Sequence, residues 1–249
     1  MNNILGGLLA IYKKEIHGYF YSPIAYIFLF IFIMIPNFLL FYVFGGIFQE
    51  NTASMRMFFT ILPIVFVIFI PCLNMGSWSQ EKNMGTIELL FTFPVSEWMV
   101  LLGKFLASLT LILVYLLSTC VIPIMTNILL GNFDFGQIVS QYIGAVLLAG
   151  ACISITFFFS SLTKELIISF LLGLTVLLVL NIIGLIPTIV RFADWLGMVK
   201  QIFIWSSLYT RFESFSKGII DSRDILYYLG VIGVFFYLNL RSLESRKWS

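Results

Sequence analysis

The strongest constraint on this 249-residue chain is the distribution of its charges, which leaves long windows with none at all. No Asp, Glu, Lys or Arg lies between Glu15 and Glu50, Arg56 and Glu81, Lys104 and Asp134, Asp134 and Lys164, or Glu165 and Arg191. A helix needs roughly 20 apolar residues to cross about 30 Å of hydrocarbon, and each of these windows is long enough. A further run, Ile225 to Leu240, is shorter and relies on local thinning of the bilayer or on snorkelling of the flanking Asp224 and Arg241. The pattern predicts six transmembrane helices, near 24–46, 57–78, 101–130, 139–162, 166–189 and 225–241. The runs are continuously apolar and do not alternate, which favours helices over barrel strands.

Composition agrees. Apolar residues make up 60% of the chain and charged residues 10%, where a soluble domain carries about a quarter charged. Mean hydropathy is +1.03. The net charge of +2 and the absence of a basic cluster give no reason to expect nucleic acid as a partner. The first charge-free window is longer than one span. Its preceding segment, 4–22, places Lys13, Lys14, Glu15 and His17 beside Leu8, Leu9, Ile11, Ile16 and Phe20, and reads as an amphipathic helix in the membrane interface. Ser22-Pro23 breaks it. No short apolar run ends in a small-x-small site, so no cleavable signal peptide is expected. With an even number of spans both termini share a side. Lys13, Lys14, Lys82, Lys104, Lys164, Arg241, Arg246 and Lys247 fall there, and the positive-inside rule favours the cytoplasm for them.

Between the second and third spans stands one polar island: Glu81-Lys82-Asn83-Met84-Gly85-Thr86-Ile87-Glu88-Leu89-Leu90-Phe91-Thr92-Phe93-Pro94-Val95-Ser96, with Gly103-Lys104 opening the next span. Gly85-Thr86 reads as a helix start with Thr86 as N-cap, Leu89 and Leu90 as the apolar face, and Glu88 exposed near the positive end of the helix dipole. An amphipathic piece held at a membrane surface by a helix on each side suits the docking of a soluble partner.

The wording of this island, E-K-x-x-G-T-x-E-L-L-x-T-x-P-V-S followed by L-G-K, resembles the first cytoplasmic loop of ABC-2-type transporter permeases, closest to the gliding-motility (Gld) and nitrous-oxide-operon branch. Lys14-Glu15 with Tyr19-Phe20-x-Ser22-Pro23, Gly131-x-x-Asp134-x-Gly136 and the phrase around Gly218 extend the resemblance over most of the chain. Phe93 departs from it, since relatives often place a small residue there. The resemblance implies an all-α membrane protein in one permease domain, 1–249, of the ABC-2 or type V exporter kind. Its parts are an elbow helix (4–22), a first span pair (24–78), a coupling loop (81–100), three spans (101–189), an extracytoplasmic or re-entrant segment (190–224) and a last span (225–241).

Function follows from the same source. The resemblance implies the non-catalytic permease half of an ATP-driven exporter in a bacterial inner membrane, with its termini in the cytoplasm. A separate ABC ATPase docks on Glu81, Lys82, Gly85, Thr86, Glu88, Leu89, Leu90, Thr92, Pro94, Val95 and Ser96, and that partner binds the ATP and magnesium. A second permease copy or related membrane subunit completes the pump, and a Gld-type auxiliary subunit with an extracytoplasmic domain is a further implied partner. A competing reading keeps the ATPase but makes the chain a mechanotransmitter or scaffold that moves an extracytoplasmic machine without solute crossing. The substrate is not legible.

Several chemistries find no residues. The predicted span interiors hold no ionisable group, such as an ion-coupled transporter needs. Their polar residues are neutral: Asn37, Asn74, Asn127, Asn181, Ser118, Thr119, Ser154, Thr156 and Thr175, read as interhelical hydrogen-bonders. Gly103-Lys104 is no phosphate loop, since Trp98 stands where a Gly is needed and Phe105 where a Ser or Thr is. The single His17 reads as a surface residue. Cys72, Cys120 and Cys152 read as small buried hydrophobes, with no cofactor or metal expected.

Other residues read structurally. Pro36, Pro63, Pro71 and Pro123 kink or end helices. Gly144, Ala145, Ala149, Gly150, Ala151 and Ser154 mark the fourth span as a bundle centre, and the Phe-rich first span faces lipid. The aromatic stretch of 190–224, with Trp195, Trp205 and Tyr209, is either re-entrant near the exit of a pathway or only an interfacial anchor. Gly218 turns the chain there, and Asp221 or Ser222 caps the last helix.

Overall fold

The structure, a computed structural model, describes residues 2–38, 56–86, 96–121, 135–189 and 197–245. Every regular element among them is a helix. In chain order these are α1 (Asn2–Tyr21), α2 (Pro23–Phe38), α3 (Arg56–Asn74), α4 (Gly76–Asn83), α5 (Glu97–Thr119) and α6 (Phe135–Leu162). There follow α7 (Leu166–Ile182), α8 (Ile186–Ile189), α9 (Gly197–Ser206), α10 (Leu208–Ser216) and α11 (Ser222–Glu244).

Four helices among the described residues are long and apolar enough to cross a membrane: Phe58–Asn83, which is α3 and α4 together, then α5, α6 and α11. The pair Gly6–Tyr21 and Ala25–Phe38 makes a fifth if it is one span, but it is bent by 71° at Ser22-Pro23. That break lies where the sequence predicts it. The six expected spans also include 166–189. There α7 runs for 17 residues, about 26 Å at 1.5 Å per residue, before a turn at 183–185 leads into α8. The outer parts of the windows 24–46 and 101–130 lie outside the described residues, as do Asn127, Gly131 and Asp134. The last span is longer than its charge-free window: α11 covers 23 residues.

The bundle is organised around α6, which touches α3, α4, α5, α7, α10 and α11. The small residues of this helix allow that. Ala145, Ala149 and Ala151 are fully buried, and at Gly144 a Cβ would sit 2.5 Å from the Cβ of Phe215 on α10. The fourth span is the bundle centre, as its composition predicts. The Phe-rich first span divides by face. Phe32 is buried against Phe66, Phe69 and Tyr115, whereas Phe30 and Phe38 are exposed.

Most of the span hydroxyls and amides bond differently from expectation. Asn37, Asn181, Ser118, Ser154, Thr156 and Thr175 each donate to a carbonyl three or four residues earlier in their own helix. Such back-bonding gives the donor a partner without needing a neighbour, although Asn181 Oδ1 stays buried without one. Two do cross between helices: Asn74 Oδ1 accepts from Ser108 Oγ of α5 at 2.8 Å, and Thr119 Oγ1 shares a hydrogen bond with Tyr142 Oη of α6 at 3.0 Å.

The close approach at Gly144 gives a test. Gly144→Ala places a methyl against Phe215 and lowers stability by about 1–3 kcal/mol. Gly230→Ala is the control, because no atom lies within 4 Å of a Cβ added there. A thermal melt in detergent is expected to fall for the first variant and to hold or rise for the second.

Candidate functional site

The polar island leaves the membrane bundle through α4, and the attachment of α4 begins with a break in the helix before it. Pro71 has no N–H to give to the helical ladder, and the chain passes from α3 to α4 at Met75. There Ser160 of α6 inserts its hydroxyl. It accepts from the backbone N–H of Trp78 and Ser79 at 3.1 and 3.2 Å and donates to the carbonyl of Met75 at 2.9 Å. A side chain entering the ladder in this way is a recognised cause of a helix break, and here it also stitches α4 to the end of α6. Gly85 closes the short helix with φ +68°, the left-handed turn that glycine takes without a Cβ penalty, and its N–H bonds back to the carbonyl of Lys82. Gly85 thus ends one helix, and Thr86 after it is already helical, at the place where the sequence pattern reads a helix start.

Two lysines hold this root from opposite sides. Lys104, two turns into α5, is 3% exposed. Its ammonium donates to Glu15 Oε1 of α1 at 3.0 Å, to Glu81 Oε1 of α4 at 2.9 Å and to the carbonyl of Ser77 at 3.0 Å, so all three of its donors are used. The fully buried Trp78 ring lies 5.2 Å away, within cation–π range. Lys82 is also buried, and its ammonium donates to the carbonyl of Ser161 in the last turn of α6, the negative end of that helix dipole. Ser161 Oγ continues the link to Ser242 Oγ of α11 at 3.0 Å.

The N-terminal helix joins this arrangement along its length. Tyr12 Oη pairs with Thr110 Oγ1 at 3.1 Å, and Tyr19 Oη with Ser108 Oγ at 3.0 Å. Ser108 in turn donates to Asn74, so α1, α5 and α3 share one polar chain. In its second half Lys13, Lys14 and His17 are exposed, with His17 stacked on Tyr21.

Of the predicted docking residues, the structure describes Glu81, Lys82, Gly85, Thr86 and Ser96. Glu88, Leu89, Leu90, Thr92, Pro94 and Val95 lie outside the described residues, with Phe93. Glu81 and Lys82 turn into the protein. Thr86 is exposed and its hydroxyl donates to the carbonyl of Glu81. Ser96 sits in extended conformation at the start of α5, where its carbonyl accepts from Met99 N and Val100 N. Sequence reasoning missed the partners: Glu15, Ser160, Ser161 and the depth of Lys104. A charge-gap reading sets Lys104 at the edge of a span, whereas α5 begins at Glu97 and carries Lys104 inside it.

The opposite end of the bundle has its own ion pair. Asp224, expected to snorkel, is buried, and Arg211 donates to it at 2.8 Å. The guanidinium lies 5.1 Å from the Trp205 ring and 5.5 Å from that of Tyr227. Arg211 belongs to α10, whose Leu208, Phe212 and Phe215 are fully packed against the bundle. Ser207 caps the start of α10, and Gln137, Ser140 and Gln141 of α6 donate to the carbonyls at its end. Gly218, at φ +85°, turns the chain, and Asp221 caps α11 by accepting from Arg223 N, both as the sequence predicts. Of the two readings for 190–224, the burial of α10 and the exposure of Met198, Ile202 and Trp205 on α9 divide the segment between core and surface.

The shared lysine sets up a stability test. Lys104→Met leaves two carboxylates without their cation and costs about 3–5 kcal/mol. The triple change Lys104→Met, Glu15→Gln and Glu81→Gln removes the stranded charges and is expected to recover most of that loss. Thermal unfolding of the purified variants in one detergent measures both.

A family model described as ABC-2 family transporter protein matches residues 9–238. No curated protein matches the chain. The match covers nearly the whole sequence, and the chain belongs to this family. It is therefore a multi-pass membrane permease component of an ABC transporter, in a family whose members are generally not catalysts and whose partner is an ABC ATPase.

Proposed function

We propose that this chain is the permease half of an exporter in a bacterial inner membrane, driven by a separate ATPase that docks on the loop 81–100 from the cytoplasm. The observation that supports this reading is the rooting of the loop: the helix that enters it is tied to α1 and α5 through Lys104, and to α6 and α11 through Lys82 and Ser161. A surface loop without a mechanical task needs no such ties. The residues that touch the ATPase are Thr86, Glu88, Leu89, Leu90, Thr92, Pro94, Val95 and Ser96. Glu81, Lys82 and Gly85 act behind them, holding the loop to the bundle.

On this reading α2 and α7 each complete a span, which gives six, with both termini in the cytoplasm. The chain pairs with a second permease copy or a related membrane subunit of the gliding-motility and nitrous-oxide-operon branch, and an auxiliary subunit with an extracytoplasmic domain joins them. ATP and magnesium bind to the partner. Closure of two ATPases pushes the loops, and each loop moves the elements tied to its root, switching the bundle between inward-facing and outward-facing arrangements. The buried α10 and its Arg211–Asp224 pair lie at the far end, where the pathway opens.

Docking is tested by Glu88→Arg and by Leu89→Asp with Leu90→Asp. Each is expected to release the ATPase in a gentle detergent pull-down from the native membrane, while the permease stays folded by its melting curve. If the complex survives both changes, the loop is not the docking element.

A further inference from the structure

Two side chains near the root of the loop are buried with polar atoms that no other group meets. Asn239 of α11 is fully buried, and neither its Nδ2 nor its Oδ1 has a hydrogen-bond partner. Trp78 of α4 is also fully buried, and its indole Nε1 has none. Buried polar groups are nearly always paired, and an unpaired one is costly. Asn239 differs in this from the buried amides Asn74, Asn181 and Gln141, each of which makes at least one bond.

The two side chains stand at one level of the bundle. Ser161, in the last turn of α6, bonds on one side to Ser242 Oγ of α11 at 3.0 Å and on the other to the Lys82 ammonium of α4. Asn239 precedes Ser242 by one turn and Trp78 precedes Lys82 by one turn, so each lies the same step further into the span from that junction. Adjacent residues of α5 reach both places. The Lys104 ammonium lies 5.2 Å from the Trp78 ring, and the Phe105 ring packs at 4.9 Å on Phe236, one turn before Asn239. The groups are also complementary, since an indole N–H can only donate and an amide oxygen accepts.

The attachments around them single out one motion. Trp78 shares α4 with Glu81, which the ion cluster ties to α5 and, through Lys104, to α1. Asn239 belongs to α11, which packs along α6. A displacement of α1, α4 and α5 together past α6 and α11 breaks the bonds from Trp78 N and Ser79 N to Ser160 Oγ, and shifts Trp78 relative to Asn239.

We propose that Trp78 and Asn239 form a hydrogen bond in the second arrangement of the bundle, with the indole Nε1–H donating to Asn239 Oδ1. The bond made there offsets those lost at Ser160, and the unpaired amide makes the present arrangement easier to leave. This device rests on the ATP-driven switching described under the proposed function.

Two measurements test it. Thermal melting of the purified chain reads the present arrangement: Asn239→Leu exchanges an unpaired amide for an apolar side chain of similar size, and is expected to raise the midpoint by about 3 °C. A midpoint that falls or stays shows that the amide already has a partner, and overturns the proposal. The second measurement reads the tryptophan indole N–H signals by NMR, in the complex with its ATPase, free and trapped with ATP and vanadate. Replacing the other four tryptophans by Phe in turn assigns Trp78. The Trp78 proton is expected to move downfield on trapping, and this shift is expected to vanish in Asn239→Leu. A Trp78 signal that stays while that of Trp205, at the far end, moves overturns the pairing and leaves the switching reading intact, as does a Trp78 shift that Asn239→Leu retains. A trapped complex in which neither signal moves overturns the switching and the pairing together.

Discussion

The arrangement of this protein depends on one buried ammonium. Lys104 lies inside a helix that otherwise reads as a membrane span, and a charge taken out of water there is tolerable only if every donor is used and opposite charge is near. The structure meets both conditions by drawing three separate pieces of chain to one point: Glu15 from the N-terminal helix, and Glu81 and the Ser77 carbonyl from the root of the polar loop. None of these pieces is bound to α5 by apolar packing alone. The lysine therefore fixes where α1 lies, because Glu15 reaches it only when α1 runs along α5 with Tyr12 and Tyr19 paired to Thr110 and Ser108.

The second dependence is on small side chains in α6. A helix that touches six others must present little bulk, and Ala145, Ala149 and Ala151 supply that in the middle of the helix. Its two ends are used differently. Near its start, Gln137, Ser140 and Gln141 hold the C-terminal carbonyls of α10. At its end, Ser160 and Ser161 hold the break at Met75 and the ammonium of Lys82. One helix thus carries polar attachments at both faces of the bundle and apolar packing between them. In a bilayer this division fits the solvent, since the polar groups near the helix ends meet partners at the ends and breaks of neighbouring helices and the middle is left to apolar packing.

Much of this was legible in the sequence. Charge-free windows located the apolar helices, Ser22-Pro23 located the bend after α1, and the Gly and Ala run located the bundle centre. Gly218 and Asp221 have the turn and cap roles that their residue types imply. The polar island announced a site because charge is expensive beside a membrane and needs a reason. What could not be read was which charges meet. Glu15, Glu81 and Lys104 are separated by 66 and 23 positions, and periodicity carries no information about pairing across such distances. Nor does a charge-gap count say how deep a flanking lysine sits, since that depends on where its helix begins. Ser160 escaped for a related reason: a serine in an apolar helix looks the same whether it bonds to its own turn, as Ser154 does, or enters a neighbour's broken ladder. Gly85-Thr86 is legible as a helix start, and Thr86 is helical, but the positive φ by which Gly85 also closes the helix before it leaves no separate mark in the pattern.

These attachments bear on how a push at the loop would travel under the proposed reading. A single tether would let α4 pivot, and the displacement would be lost in side-chain motion. Here the same eight-residue helix is held on one side to α1 and α5, and on the other to α6 and α11. Its own break is filled by a hydroxyl from α6, so it cannot slide along its axis without losing three hydrogen bonds at once. Packed interiors respond to such loads by discrete rearrangement of whole elements and not by gradual strain. A force on the loop must then either break the Lys104 cluster, which leaves carboxylates buried and unpaired, or carry α1 and α5 with α4 as one body. The second route costs less electrostatically. That makes the N-terminal helix part of the moving unit and not a passive anchor.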